Sequence, residues 1–469
     1  MGKRAYLGTF LFLLPILFRL ASTVMAGEAG AEVPELPAVP EAPAPPEAPK
    51  IDTGDNAWMM TSAALVLAMT IPGLAFFYGG MTRAKNMGNT MWLSWIAFCI
   101  TSIMWVLWSY SLAFAPFSGM IGGLQWAVLG CGHGEYVGQT PSTIYGTTIP
   151  HLTFCMFQLT FAAITLALVS GAIAERLKFG AWLLFCLLWM SGCYPVIAHW
   201  VWGSDGWLYK LGALDFAGGS VVHIQSGSAG LIFCLFLGRR LDIKPPHNTP
   251  AVLLGASMLW FGWFGFNAGS ATAANGLAAS AWAVTNTATA TAAFTWNIME
   301  WIFDRKPTVV GTCSGAVAGL VAITPASGFV SVMPSIAIGA GAGFLCYSTV
   351  KWMKRALGYD DALDVVGVHA LGGSWGCMAT GLFASKLVNP AGDDGLFYGN
   401  PAQMLEQAVD MFSVWGYTCA VTAVLILFIK AATKGIRVPK EEEIAGLDLT
   451  QHREISYHWY EEETGTIKA

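Results

Sequence analysis

The sequence predicts an all-α polytopic membrane protein: eleven transmembrane helices with an inverted five-helix repeat, helices 1–5 and 6–10, around a central pore. Three observations carry this. The 469 residues are 55% hydrophobic and only 11% charged, where a soluble chain carries about 25% charged residues. Apolar runs of about 20 residues, the length that crosses a bilayer as a helix, recur along most of the chain. Two distant runs also repeat one unusual polar pattern. The net charge of -5 comes with no basic stripe, so no nucleic-acid partner is expected. The bilayer lipid is the main partner.

The elements follow in order. Residues 1–26 begin basic, continue apolar and end Val24-Met25-Ala26, a secretory signal peptide. Residues 27–54 form a Pro/Ala/Glu-rich extracytoplasmic linker. The transmembrane domain spans 55–434, and 435–469 is a cytoplasmic C-terminal tail. The apolar cores fall at 56–78, 91–114, 152–174, 180–202, 220–237, 251–269, 280–303, 308–324, 333–353, 364–384 and 409–430. Basic residues follow the odd-numbered segments (Arg83 and Lys85, Arg176 and Lys178, Arg239 and Arg240, Arg305 and Lys306, Lys354 and Arg355, Lys434 and Arg437). The alternate loops hold only Lys210 and Lys386. Lys and Arg concentrate on the cytoplasmic side. The N-terminus is therefore expected outside and the C-terminus inside, in a multi-pass protein of the cell inner (plasma) membrane.

The repeated pattern is "GALDFAGGSVVHIQSGSAG" (212–230) and "DALDVVGVHALGGSWG" (361–376). Each reads Ala-Leu-Asp, then small residues, then a lone His in an apolar, Gly-rich run. Of eight His, only His223 and His369 lie clearly deep within segments, the fifth and tenth. Segments 1 and 6 also correspond, "GLAFFYGGMT" (73–82) with "GWFGFNAGSAT" (262–272). Members of each pair are five segments apart, an odd number, so the halves run in opposite directions. Such repeats place the working site at the midplane between them. Gly311, Gly315 and Gly319, four residues apart, read as a helix-packing stripe.

An ionisable residue at membrane depth is costly, so a function is its default reading. One buried His is more often a helix–helix hydrogen-bond partner; two at matched repeat positions reverse those odds. A bis-His haem site would need a cavity, and a metal site a third ligand that no Asp, Glu or Cys obviously supplies. A paired-imidazole pore needs only these two rings. A neutral imidazole both donates and accepts, which suits a small polar solute or a proton. The ten Cys form no CxxC or zinc spacing and mostly read as small buried hydrophobes. Cys131 lies in a polar loop with nothing nearby to make it reactive. No metal or cofactor is expected, and no enzyme activity.

These residues match a family. The chain from Asn56 to Tyr457 strongly resembles the ammonium transporter (Amt/Mep/Rh) family, bacterial Amt type, through "PGLAFFYGG", "FQLTFAAITLALVSGAIAERLKF", "IAHWVWG", "GALDFAGGSVVHI", "WFGFNAGS", "GTCSGAVAGLVAITPASGFV" and "DVVGVHALGG". The resemblance implies a homotrimer with one pore per subunit. It also implies an outer recruitment site of Phe157, Trp202 and Ser270. Phe161 and Phe266 would form a gate below it, and His223 and His369 the pore pair. Asp215 matches the acidic residue near the recruitment site, where capping of Gly-rich backbone and negative potential for a cation coincide; Gln158 tunes the vestibule. Asp364 is read as a structural cap. Aromatic faces attract an ammonium ion by about 0.5 to 2 kcal/mol, while a bare cation at the bilayer centre costs several kcal/mol. Ammonium therefore leaves its proton at the entrance and crosses as ammonia, which excludes potassium; in bacterial members the proton is expected to be co-transferred. Methylammonium is a second expected substrate.

The tail "RVPKEEEIAGLD" (437–448) resembles the segment that packs under the trimer, and a PII-type signalling protein is a candidate partner on the cytoplasmic face. The family's His-Gly-Glu reads His452-Arg453-Glu454 here. Arg does not readily take the φ > 0 geometry that Gly supplies, which puts the usual tail conformation in doubt. The alternative function is an ammonium sensor that binds with little conduction. The tail is too short for the signalling domain that sensor versions often append.

Overall fold

A computed structural model describes residues 50–131, 136–457, 459–460 and 467–468. The expected signal peptide and nearly all of the expected linker lie outside the described residues. The principal helical segments among them run in order. The first six are α1 (Thr53–Met81), α2 (Ala84–Phe114), α3 (His151–Ile173), α4 (Phe179–Leu211), α5 (Gly219–Leu237) and α6 (Thr249–Gly269). Then come α7 (Gly276–Asp304), α8 (Val309–Ile323), α9 (Val332–Leu357), α10 (Val366–Leu371 continuing as Gly372–Phe383) and α11 (Ala402–Ala432). Eight of these, α1–α6, α9 and α11, are long and apolar enough to cross a membrane.

The largest boundary difference is the end of α4, nine residues past its apolar core; α2 and α11 each start seven residues before theirs. In α11 the extra turns carry Gln403 and Gln407, with Asp410 just beyond, all 0% exposed. They are polar yet buried against neighbouring helices, so hydropathy alone places the start too late.

The two pairs of repeat-related helices pack antiparallel. Along α6, Gly255 lies beside Phe77, Gly262 beside Met69 and Gly265 beside Leu65 of α1, so one index rises as the other falls. Between α5 and α10, Gly227 lies against Ala370, and Gly373 lies against His223. A Cβ on Gly227 would sit 2.3 Å from the Ala370 nitrogen. Only glycine permits that approach, and it is the approach that brings the two histidines together. Of the predicted glycine stripe, Gly315 and Gly319 seat α8 on Ala293 and Ala288 of α7, while Gly311 meets Glu300.

Most of α3 is buried, as expected of a helix surrounded by others. Trp105, Trp182, Trp189 and Trp263 are fully buried. Each satisfies its indole N–H, on Cys155 O, Leu93 O, Thr422 Oγ1 and Thr324 Oγ1 respectively. At one end, Glu175 joins Arg83 at 2.9 Å and Arg240 at 3.2 Å, and Arg240 also holds Asp360 at 2.9 Å. Burial alone would raise both acids. The bonds from Arg83 and Asn86 instead hold Glu175 below its usual range, and those from Arg240 hold Asp360 at about 2.

The tail docks at this same end through α12 (Lys440–Ala445) and α13 (Asp448–His452). Asp448 accepts the Gly88 and Asn89 amides at 3.1 and 2.7 Å, and Leu447 N donates to Asn86 Oδ1 at 2.8 Å. The His452 ring packs on Trp92 and Phe179 with centroids 4.2 and 4.8 Å away. Arg453 adopts φ 61°, ψ 34°. The expectation that Arg would not take the left-handed geometry is therefore corrected. The residue stays exposed, and docking on either side holds it there against about 1–2 kcal/mol of strain. A two-residue antiparallel pair, Trp459–Tyr460 with Ile467–Lys468, lies near the chain end.

Candidate functional site

Asp215 builds the entry to α5. Its carboxylate accepts Gly218 N (2.8 Å), Gly219 N (2.6 Å), Ser220 N (2.8 Å), Ser220 Oγ (2.8 Å) and Val221 N (3.2 Å). These are the free amides of a helix start, which need an acceptor when buried. Asp215 thus caps the start of α5. The helix then opens as a π-helical turn, Gly219–Ile224, which contains His223. Segment α10 opens the same way, with Val366–Leu371 around His369. Such wide turns are rare and concentrate at functional sites.

The capping acid of α10 is Asp361, not Asp364. Val366 N donates to Asp361 Oδ2 at 2.7 Å. Asp364 itself has φ +62° and pairs with Lys354. The repeated letters Ala-Leu-Asp pair Asp215 with Asp364, whereas the helical offset to the histidine pairs it with Asp361.

His223 and His369 are 0% and 3% exposed. Their Nδ1 atoms are 3.2 Å apart and their rings 5.3 Å apart at 28°. One ring donates and the other accepts, so two neutral imidazoles of opposite tautomer satisfy the contact. His223 Nε2 has no partner. A buried polar nitrogen without a partner calls for one from outside the chain.

A continuous line of rings leads away from this pair. His223 lies 6.2 Å from Phe266 and is stacked on Trp263 at 5.3 Å and 21°. Phe266 stacks on Phe161 at 4.0 Å and 15°. At that spacing the faces are in contact, so passage between them requires a ring to turn. Phe161 meets Phe157 at 4.9 Å and Trp202 at 5.8 Å, both edge-on. Trp202 is half-buried and donates its indole N–H to Asp215 O at 2.8 Å. Phe157 and Trp202 are thus linked through Phe161. Ser270 sits one turn beyond Phe266 and gives its hydroxyl proton to Phe266 O at 2.9 Å, which leaves the oxygen free to accept.

Gln158 is 9% exposed and its Oε1 lacks a hydrogen-bond partner. Trp263 escaped the sequence reading, although it stands one turn before Phe266 on the same helix; that spacing was the available signal. Other buried histidines are satisfied structurally: His199 bonds Ala113 O at 3.0 Å and Ser118 O at 2.6 Å, and His151 meets Tyr110 OH at 2.6 Å. Among the described residues no group of His, Cys, Asp and Glu could hold a metal ion.

Comparison with known proteins gives the family of this chain. The sequence model of the Ammonium Transporter Family matches residues 57–457. The chain is 50% identical over 406 residues to the ammonium transporter of Bacillus subtilis, covering 86% of this chain and 98% of that protein. It is 50% identical over 413 residues to that of Aquifex aeolicus, covering 87% and 94%. Among solved structures, Saccharomyces cerevisiae Mep2 superposes with a TM-score of 0.77 at 35% identity, over 84% of this chain and 89% of that one. A structure named Sensor Amt Protein gives 0.76 at 26% identity, over 85% and 98%. The chain is a multi-pass membrane protein and belongs to the ammonium transporter family.

Proposed function

We propose that this protein carries ammonium across the membrane by docking the cation at an aromatic entrance, removing a proton and passing ammonia along the His223–His369 pair. The observation that carries the reading is that pair: two buried rings joined at 3.2 Å, with one nitrogen unpartnered. Such a site can greet a neutral hydrogen-bonding molecule and offers a bare cation little.

In this reading Phe157 and Trp202 face the cation and Ser270 accepts one of its protons. The aromatic faces supply about 0.5–2 kcal/mol. Asp215 contributes fixed negative potential as well as its cap, Gln158 tunes the vestibule, and Phe161 with Phe266 gates the passage. The proton is co-transferred, so transport is electrogenic. The aromatic entrance faces outward, the N-terminus is extracytoplasmic and the tail cytoplasmic, in the inner (plasma) membrane. Residues 1–26 are a signal peptide, 27–54 a linker, 55–434 the transmembrane domain and 435–469 the tail. Three copies form a homotrimer with one pore each, and a PII-type protein docks on the tail face.

The second reading, a sensor with little conduction, is favoured by the structural likeness to Sensor Amt Protein, but at 26% identity. The relatives at 50% identity are named ammonium transporters. The two readings separate in reconstituted liposomes. Ammonium pulses should drive a saturable inward positive current that potassium pulses do not. Ammonium binding with neither current nor internal pH change would replace the transporter by the sensor.

A further inference from the structure

We propose that Asp55 is a positioning residue for the entrance. Its carboxylate ties the chain that leads into α3, which carries Phe157, to the chain that leaves α6, which carries Ser270, and so sets how tightly ammonium docks. The proposal deepens the transport reading and rests on it for the docking of ammonium at these residues. Asp55 stands in the first turn of α1, where an acid ordinarily serves its own helix. That task is already taken: Asp52 is the N-cap, and its side chain accepts Asp55 N at 2.9 Å. The Asp55 carboxylate reaches outward instead. Its Oδ2 accepts the Thr148 hydroxyl at 2.6 Å, and its Oδ1 accepts Ala274 N at 2.8 Å.

Both partners adjoin the walls of the entrance. Thr148 is three residues before the start of α3, and Ala274 is four residues past Ser270. Neighbours of Asp55 repeat the clasp on each side. Toward α3, Asp52 N donates to Thr148 O at 2.8 Å, and Thr153 Oγ1 donates to Asn56 Oδ1 at 2.9 Å. Toward α6, Trp58 Nε1 donates to Ala268 O at 3.4 Å.

The turn that ends at Ala274 needs holding. Ser270 N, Ala271 N and Thr272 N donate back to Asn267 O, Ala268 O and Gly269 O at 3.2, 3.3 and 2.9 Å, and Thr272 takes φ +54°. A β-branched residue in the left-handed region is strained, and such strain persists only where the surroundings fix it. The bond from Ala274 to Asp55 fixes the chain two residues on. Spacing matters here because the two walls touch. A Cβ on Gly269, the residue before Ser270, would sit 2.9 Å from Phe157 Cε2 and 2.8 Å from Ser62 Cβ of α1. A shift of the turn against α3 therefore changes the distance between the Phe157 face and the Ser270 oxygen, two groups that must meet one small cation at once. Phe161 and Phe266 lie one turn further into α3 and α6, so loss of the tie acts on docking before it acts on passage.

The test uses the full-length protein reconstituted in lipid, with ammonium binding followed by calorimetry beside ammonium current. Asp55→Ala should raise the dissociation constant and the half-saturating concentration together by about tenfold, the scale of one hydrogen bond, with maximal current within about twofold of wild type. The amide of Asp55→Asn can still accept from Ala274 N and donate to the Thr148 oxygen, and should restore affinity to within about threefold of wild type. Equal loss in Asp55→Asn and Asp55→Ala would make Asp55 a charge rather than a tie and overturns the proposal. Wild-type affinity in Asp55→Ala, or a fall in maximal current at unchanged affinity, does the same. If Asp55→Ala does not assemble, Thr148→Ala takes its place: about threefold weaker docking is expected, and unchanged affinity overturns the proposal. Ammonium binding with no wild-type current would sink the transport reading, and the affinity ratios would still decide the role of Asp55.

Discussion

In the first half of the chain Asp215 stands eight residues before His223; in the second, Asp361 stands eight before His369. Each acid caps a π-helical turn that holds its histidine. The two are satisfied unequally. Asp215 collects five donors and sits beside the half-buried Trp202. Asp361 accepts Val366 N through one oxygen, and its Oδ1 is unpartnered. Burial pushes the Asp361 carboxyl above the usual range, against the pull of Lys354. The rings differ as well: His223 is stacked on Trp263, and the alignment of Gly262 with Gly73 puts Leu74 at the corresponding place in α1. An inverted repeat thus supplies one scaffold twice, and side-chain differences give its ends different tasks. The Asp215 end carries a fully bonded carboxyl and aromatic faces; the Asp361 end carries neither to the same degree.

The largest test of that difference is removal of each acid. Asp215→Ala strands five buried donors at about 1–3 kcal/mol each, so loss of assembly or of all transport is expected in thermal unfolding and flux assays. Asp361→Ala strands fewer and should cost about 1–3 kcal/mol. Equal losses would break the comparison. Next, Gly227→Ala should separate α5 from α10, at a cost of several kcal/mol by overpacking, and abolish transport; wild-type flux would mean that the close crossing is not needed. Trp263→Leu removes a ring contact worth about 0.5–1.5 kcal/mol. It should lower ammonium flux without loss of assembly, whereas Leu74→Ala should leave the His223 side unaltered.

The tail gives the smallest effects, and reports on the first half because it docks on α2 and α4. Burial holds the His452 imidazole below its usual value, against the pull of Asp448 and Glu454. The docked tail therefore binds fewer protons than the free tail. Docking is fully stabilised above the ordinary histidine range and weakens as pH falls through the lowered value. Exchange of the Gly88 and Asn89 amides should accelerate on acidification, and less so in His452→Gln. Arg453→Gly relieves left-handed strain and should strengthen docking by about 1 kcal/mol, seen as slower exchange of the same amides.

Much of this was legible in the sequence because depth and spacing are strong signals. The histidines stood out as isolated ionisable residues in apolar runs, and their matched positions implied the inverted repeat. Asp361 was hidden by the repeated letters Ala-Leu-Asp, which draw the eye to Asp364; the side chain that reaches the helix start is set by helical offset. Gln403 and Gln407 were hidden because polar residues ahead of an apolar run read as loop until packing shows them buried. The geometry of Arg453 follows from docking on both sides of it, which no local propensity expresses.

The most direct measurement is selectivity across the imidazole pair. Ammonium and potassium currents would be recorded from liposomes holding the wild type or His223→Ala with His369→Ala. The account predicts an ammonium current blind to potassium in the wild type, and either its loss or the entry of potassium in the variant. An unchanged ammonium current with unchanged selectivity in the double variant would remove the histidines from the path and contradict the account.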